Sequence, residues 1–248
     1  MPDTPSILEC PTLGQLLRRW ILAAAAPLLL SSLLMLLCYI ATGPTLGLYF
    51  GGIAVFTLIG PALVLAETDR WNRAFVADAI VSIIALTWLL PVFQSLVGFG
   101  HWFGCYLLLA AYALALCGIA LSLERLGLRP VAAAATTVLL ALAWLTWPIW
   151  LAPWLRGAPG ERLAAALVPA HPLFALNGYL ANAFPIPWPQ YRLAYILTNL
   201  GDDIPYTLPT TLLPSLLLHS LLGTALLLLP RLSRPLPSPH PPPSSIDN

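Results

Sequence analysis

The sequence contains no lysine and has few charged residues of any kind. Charged side chains make up 8% of the 248 residues, and all 11 cationic residues are arginine. Soluble domains carry about 25% charged residues because their surfaces face water. Here 59% of the residues are hydrophobic and the mean hydropathy is +0.83. The composition therefore predicts a protein that lies in lipid, and the net charge of +1 argues against nucleic acid as a partner.

The sequence also lacks the motifs of several enzyme and metal-site classes. It has no HExxH, no GxSxG with a paired histidine and no GxxxxGK[ST], so it cannot bind ATP through a Walker A loop. None of the cysteines forms a CxxC pair, which favours buried thiols over a zinc site or a disulfide framework. These cysteines are Cys10, Cys38, Cys105 and Cys117. We expect no enzyme activity, no cofactor and no bound metal.

What the chain does contain is long apolar runs. A helix needs about 20 residues to cross the roughly 30 Å hydrocarbon core of a bilayer, and six runs reach that length. They lie near 20–42, 46–66, 75–97, 103–123, 131–155 and 208–229. The predicted fold is an all-α membrane bundle of six transmembrane helices, with the first five in residues 20–156.

The arginines predict the orientation of this bundle. Arginine near short loops is retained on the cytoplasmic side, and six alternating spans place eight of the arginines on one side. The eight are Arg18, Arg19, Arg70, Arg73, Arg125, Arg129, Arg231 and Arg234. We therefore expect both termini to be cytoplasmic. Arginine in place of lysine fits the coding bias of a GC-rich genome, and we expect the cytoplasmic (inner) membrane of a bacterium.

Three segments are not predicted to span the membrane. Residues 1–19 are expected to form an amphipathic segment on the cytoplasmic surface, and the proline-rich residues 230–248 a disordered cytoplasmic tail. Residues 157–207 are apolar but interrupted by prolines, and apolar stretches of 10–14 residues are typical of interfacial or re-entrant helices. We expect this outer segment to form a cap over the bundle, before the last span at 208–229.

Two polar residues lie within predicted spans. Asp78 is the one acid inside a span, where it either carries a transport or coupling role or favours the helix dipole and pairs with a nearby arginine. His219 lies in the middle of the sixth span. A histidine there can bind a haem or metal, relay protons or hydrogen-bond another helix. Because no second histidine lies at a matching depth, a contact between helices is the favoured interpretation.

The predicted cap contributes further polar candidates. Glu161, His171, Asp202 and Asp203 could converge on a cation, because hard cations prefer several oxygens, although an acidic pair after a glycine is also ordinary turn chemistry. Four tryptophans near the outer end of the fifth span predict an aromatic belt at the headgroup level, or else a platform that stacks on a lipid or glycan. They are Trp144, Trp147, Trp150 and Trp154.

The layout resembles the membrane subunits of type-2 ATP-binding-cassette exporters. The local match is Leu167-Val168-Pro169-Ala170-His171-Pro172-Leu173-Phe174-Ala175-Leu176, which is similar to an NP(F/L)xAL stretch after the fifth span of such permeases, with histidine in place of asparagine. The resemblance implies a permease that exports a substrate with the energy of a separate ATPase subunit and pairs with a second permease copy. The segment 67–73 has the charges of the family's coupling segment without its glycine.

Two other functions stay open. The chain could be a non-catalytic accessory subunit of a larger membrane complex that contacts lipids and other membrane subunits. The scarcity of polar residues in the spans favours that alternative. It could also act on lipid at the outer face through His171 and the pair Asp202 and Asp203.

Overall fold

The computed structural model of the protein describes residues 33–34, 36–37, 40, 44–66, 99–155, 157–183 and 207–232. These residues are helical wherever they are regular and contain no β-strand, which confirms the predicted all-α class. The helices are α1 (Pro44–Leu58), α2 (Gly60–Ala66), α3 (Phe99–Arg125), α4 (Pro130–Leu145), α5 (Trp147–Trp150), a 3₁₀ turn (Ala152–Trp154), α6 (Ala158–Ala170), α7 (Pro172–Ala183) and α8 (Leu213–Leu232). The predicted third span, the amphipathic amino-terminal segment and the proline-rich tail from 233 onward lie outside the described residues.

Helix α3 is the centre of this arrangement. It packs against α1, α2, α4, α7 and α8, and its contact with α8 is the most extensive. Its residues Leu108, Leu109 and Tyr112 are almost completely buried and belong to one apolar cluster with residues of α1 and α7. From Leu108 to Leu121 no residue of α3 is exposed, as expected for a helix that is apolar on every side.

One helix of the described residues, Phe99–Arg125, is long and apolar enough by itself to cross a membrane. It has 27 residues and a mean hydropathy of 2.2 over its most apolar stretch. Helices α6 and α7 reach that length only together, and they are bent by 75° at their junction. Shorter apolar helices lie at Gly51–Ala62, Pro130–Leu145 and Leu213–Leu228.

The turn between α3 and α4 is set by a glycine and a proline. The N–H groups of Gly127 and Leu128 donate to the carbonyls of Glu124 and Leu123, which is the Schellman arrangement that ends a helix. Gly127 has a φ of 99°, a left-handed conformation that glycine adopts without the steric cost of a Cβ. Pro130 then starts α4, where its missing N–H costs nothing.

Two glycines bring α3 and α8 into close contact. A Cβ added to Gly223 would lie 2.8 Å from the carbonyl carbon and oxygen of Leu114, and one added to Gly118 would lie 3.1 Å from the carbonyl oxygen of Gly223. Nearer the end of α3, Arg125 Nη1 donates to the Leu226 carbonyl at 3.2 Å. Small residues at such crossings let backbones approach and maximise van der Waals contact.

Two predicted spans contain breaks. The run 46–66 is divided into α1 and α2 at Ile59, just before Gly60 and Pro61. The run 131–155 forms one continuous helix only as far as Leu145; the short helix α5 and a 3₁₀ turn follow as separate elements. Proline lacks an N–H and collides with the preceding turn, so Pro61 and Pro148 explain both breaks. At 1.5 Å per residue the 16 residues of α4 extend about 24 Å.

Candidate functional site

The candidate site is the junction between α6 and α7, where His171 meets the end of α4. The backbone of His171 ends one helix and begins the next. Its N–H donates to the carbonyls of Leu167 and Val168 at 3.1 and 3.2 Å, and its carbonyl accepts the N–H of Ala175 at 2.9 Å. The residue itself is extended, with φ −78° and ψ 127°, which produces the bend.

The imidazole of His171 makes two further hydrogen bonds. Its Nδ1 lies 3.4 Å from the N–H of Phe174, and its Nε2 lies 3.2 Å from the carbonyl of Leu145. A backbone N–H only donates and a carbonyl only accepts, so both contacts form only in the neutral tautomer with the proton on Nε2. The side chain is thus the N-cap of α7, with Pro172 at the first helical position. It also binds the last turn of α4 through the Leu145 carbonyl.

Aromatic side chains enclose this imidazole. The ring centroids of Phe174, Trp144 and Trp147 lie 4.8, 5.7 and 6.0 Å from that of His171, which is 1% exposed. The pKa of His171 is lowered to about 3, mainly by burial; the hydrogen bond to Leu145 opposes the shift, and the nearby His219 contributes to it. We call Trp144, Leu145, Trp147, His171 and Phe174 the histidine corner.

His219 approaches the histidine corner from α8. Its ring centroid lies 6.4 Å from Trp144 and 5.3 Å from Tyr112 on α3. The sequence predicted that no second histidine matches His219 in depth, yet both imidazoles contact the indole of Trp144. That contact depends on how α4, α7 and α8 pack, and no local pattern in the sequence indicates it.

The hydrogen bonds of His219 define its tautomer. Nδ1 lies 2.7 Å from the carbonyl of Ser215, one turn earlier, and 3.3 Å from the hydroxyl of the same residue. Because the carbonyl must accept, Nδ1 carries the proton. Nδ1 therefore cannot take a proton from the Ser215 hydroxyl, so the two residues do not form a nucleophile–base pair. Nε2 is the ring atom that keeps a lone pair for a ligand or a hydrogen bond.

Thr57 and Tyr112 extend the polar contacts to α1, and sequence reasoning did not single them out. The hydroxyl of Thr57 donates to the Ile53 carbonyl at 2.7 Å and lies 2.9 Å from the hydroxyl of Tyr112. The Thr57 proton is thereby committed, so Tyr112 donates to Thr57. The available signal was that each is a polar residue within an apolar run, but such residues are common in buried helices.

The four tryptophans of the predicted belt divide into two pairs. Trp150 and Trp154 are 53% and 79% exposed, whereas Trp147 is 2% exposed and Trp144 is half-buried in the histidine corner. The indole N–H groups of Trp144 and Trp147 are buried and have no hydrogen-bond partner within the described part of the chain. Only the first pair is exposed, as a belt would require, since the second pair packs against His171.

The described residues do not assemble the predicted cation site. Glu161 is exposed in the first turn of α6, and His171 is buried at the other end of that helix, about 15 Å away at 1.5 Å per residue. Both nitrogens of His171 already bond to backbone. Within the described ranges no three His, Cys, Asp or Glu side chains could hold a metal ion together. Asp78, Asp202 and Asp203 lie outside these ranges, so their roles stay predictions.

The histidine corner is therefore a structural junction with buried, neutral histidine. It fixes the end of α4, the end of α6 and the start of α7 relative to one another. Its geometry fits a positioning role for His171, because both ring nitrogens are engaged by backbone groups. The functional interpretation depends on this geometry, since no family model, no curated protein and no solved structure matches the chain.

Proposed function

We propose that the chain is an integral membrane protein with six transmembrane helices that serves as the permease subunit of an ATP-driven exporter, energised by a separate ATPase subunit. The substrate is exported through or beside the bundle while the ATPase works on the cytoplasmic side. Both termini lie in the cytoplasm, and the membrane is the bacterial inner membrane. Membrane lipids and a second permease copy are the other expected partners.

The burial pattern of α8 supports the membrane location. This helix buries polar or small residues on successive turns, namely Ser215, His219 and Gly223. It exposes large leucines, with Leu213 at 57%, Leu217 at 48%, Leu221 at 67% and Leu228 at 46%. Soluble helices bury their leucines and expose their polar residues, so the α8 pattern favours lipid on its outer side.

The single observation that carries the permease proposal is the bent pair α6–α7. It lies between the predicted fifth and sixth spans, and its 75° bend makes it a broken span or a re-entrant loop. The resemblance to type-2 exporter permeases implies re-entrant helices at the same place in the chain. The bend occurs at His171, within the ten residues that carry the local match.

Copurification tests this proposal. We expect tagged protein extracted in mild detergent to retain a nucleotide-hydrolysing subunit with a Walker A sequence, held by the cytoplasmic segment 67–73. Replacing Arg70 and Arg73 together with alanine should reduce the recovered ATPase severalfold. The matched control is Arg162→Ala, which removes an exposed charge from the other predicted face and should leave recovery unchanged. Recovery of no ATPase from the unaltered protein would exclude the permease function.

The accessory-subunit alternative has one observation in its favour. Buried polar side chains of α1, α4 and α8 bond to the carbonyl four residues earlier in their own helix, as Thr57, Thr137 and His219 do. These bonds commit the donors of the three side chains to their own helices, which suits a static bundle. In that case the same copurification should recover other membrane proteins in fixed stoichiometry and no ATPase.

A further inference from the structure

We propose that the histidine corner is an acid-operated latch, in which protonation of His171 releases the α6–α7 junction from the end of α4. The proposal concerns the local opening of the junction and does not depend on the exporter function. Acidic surroundings on the outer side would act on the latch, because the predicted topology places the cap there.

The geometry of His171 leaves no place for a second proton. Nδ1 accepts the N–H of Phe174, so a proton on Nδ1 would point one donor at another. The bond would be lost and α7 would lose its N-cap, a contribution of about 1 kcal/mol in typical helices. The imidazolium would also sit at a helix N-terminus, where the macrodipole disfavours positive charge.

The groups around His171 do not compensate a positive charge. From α4 and α5 it faces the uncharged indoles of Trp144 and Trp147, and from α7 it faces Phe174. His219 on α8 is the titratable group that faces it across Trp144, and a charge there would repel it. The acids of the described ranges are Glu124, at the opposite end of α3, and Glu161, exposed at the far end of α6.

The junction is also built to separate as a unit. The chain bends by 75° between α6 and α7, and the side chain of His171 bonds this bend to α4 through Leu145. The junction also packs on a small apolar cluster that is separate from the main core. This cluster contains Trp147, Leu155, Ala164, Val168 and Phe174. Opening would expose this cluster while the α3 core stays packed.

The size of the effect follows from linkage. Burial lowers the pKa of His171 from 6.5 to about 3, so the closed junction holds fewer protons than the open one. The closed state keeps its full stability above pH 6.5 and loses it as the pH falls towards 3. If opening restores the ordinary pKa, the opening constant rises about 30-fold between pH 7.5 and pH 5, with one proton taken up.

Thiol protection tests the latch in full-length protein in mild detergent. In a background with the native cysteines replaced by alanine, Ala164→Cys places a thiol at a fully buried position of the small cluster. Ala166→Cys, exposed on the same helix, corrects for the pH dependence of the reagent, a pyridyl disulfide. We expect the protection of position 164 relative to 166 to fall about 30-fold from pH 7.5 to pH 5.

Two further variants identify the titrating group. His171→Asn, which can cap α7 without titrating, should remove the one-proton slope, and His219→Asn should retain it. A protein that keeps only Cys105, 0% exposed in the main cluster, should stay protected at pH 5.

Three results would overturn the proposal: a protection that does not change with pH, a slope that survives in His171→Asn, or exposure of Cys105 in parallel with position 164. If His171→Asn does not fold, the protein that retains His171 decides, since a fall in protection far smaller than 30-fold between pH 7.5 and pH 5 also contradicts the latch.

Discussion

Gly223→Ala should lower the thermal midpoint of the protein in mild detergent by about 6–12 °C, equivalent to about 3 kcal/mol. The added Cβ would lie 2.8 Å from the backbone of Leu114, and backbone atoms cannot rotate away as a flexible side chain can. Helices α3 and α8 would have to separate along the most extensive contact of the described fold. In the proposed membrane bundle, loss of tight packing is costly there because no hydrophobic effect drives helices together in lipid.

Gly60→Ala is the matched control for this substitution. Gly60 is also a glycine of an apolar helix, at the start of α2, but a Cβ added there meets no atom within 4 Å. The free energy of unfolding of Gly60→Ala should differ from that of the parent by no more than about 1 kcal/mol, which is the difference in helix propensity between glycine and alanine. An equal loss of stability in both variants would contradict the close backbone contact between α3 and α8 at Gly223.

His171→Leu should cost about 2–4 kcal/mol of stability, since it removes the N-cap of α7 and leaves the Leu145 carbonyl buried without its partner. Asparagine is the informative comparison. His171→Asn keeps a side-chain acceptor for the Phe174 N–H but is too short to reach Leu145, so it should recover about half of the loss. At pH 7.5 the thermal midpoint should be highest for the parent, lower for His171→Asn and lowest for His171→Leu. A leucine variant as stable as the parent would show that the two hydrogen bonds of His171 do not stabilise the junction.

The N-cap gives a physical meaning to the local resemblance noted in the sequence. In the stretch that resembles NP(F/L)xAL, the residue before the proline is His171, and it caps the following helix through Nδ1. Asparagine is among the best N-cap residues. Histidine can therefore replace it at this position while adding a second bond, from Nε2 to Leu145, that asparagine cannot make.

The all-α class and the positions of the main described helices could be predicted because apolar runs indicate them directly. The predicted run 103–123 lies within α3, and the two helices of the cap fall in 157–183. The breaks at Ile59 and after Leu145 were missed because hydropathy alone does not register a missing N–H. Pro61 and Pro148 were the available signals.

The histidine corner could be predicted only in part. The sequence indicated His171 as a candidate, and an imidazole directly before a proline is a position from which a side chain can cap a helix. The partners could not be predicted, since Leu145 and Trp144 are 26 and 27 residues away and reach His171 only through the turn after α4. The same holds for His219, which arrives from α8.

Cysteine labelling of the loops tests the six-span architecture most directly. In whole cells and inverted vesicles, a cysteine at Gly100 or Gly157 should react with an impermeant thiol reagent from outside, and one at Gly127 from inside. A Cβ at each of these positions meets no atom within 4 Å, although Gly157 and Gly127 have positive φ and their variants need a folding control. Labelling of Gly100→Cys and Gly127→Cys from opposite sides is the predicted result, because α3 should cross the membrane between them. Labelling of both from the same side would contradict the architecture.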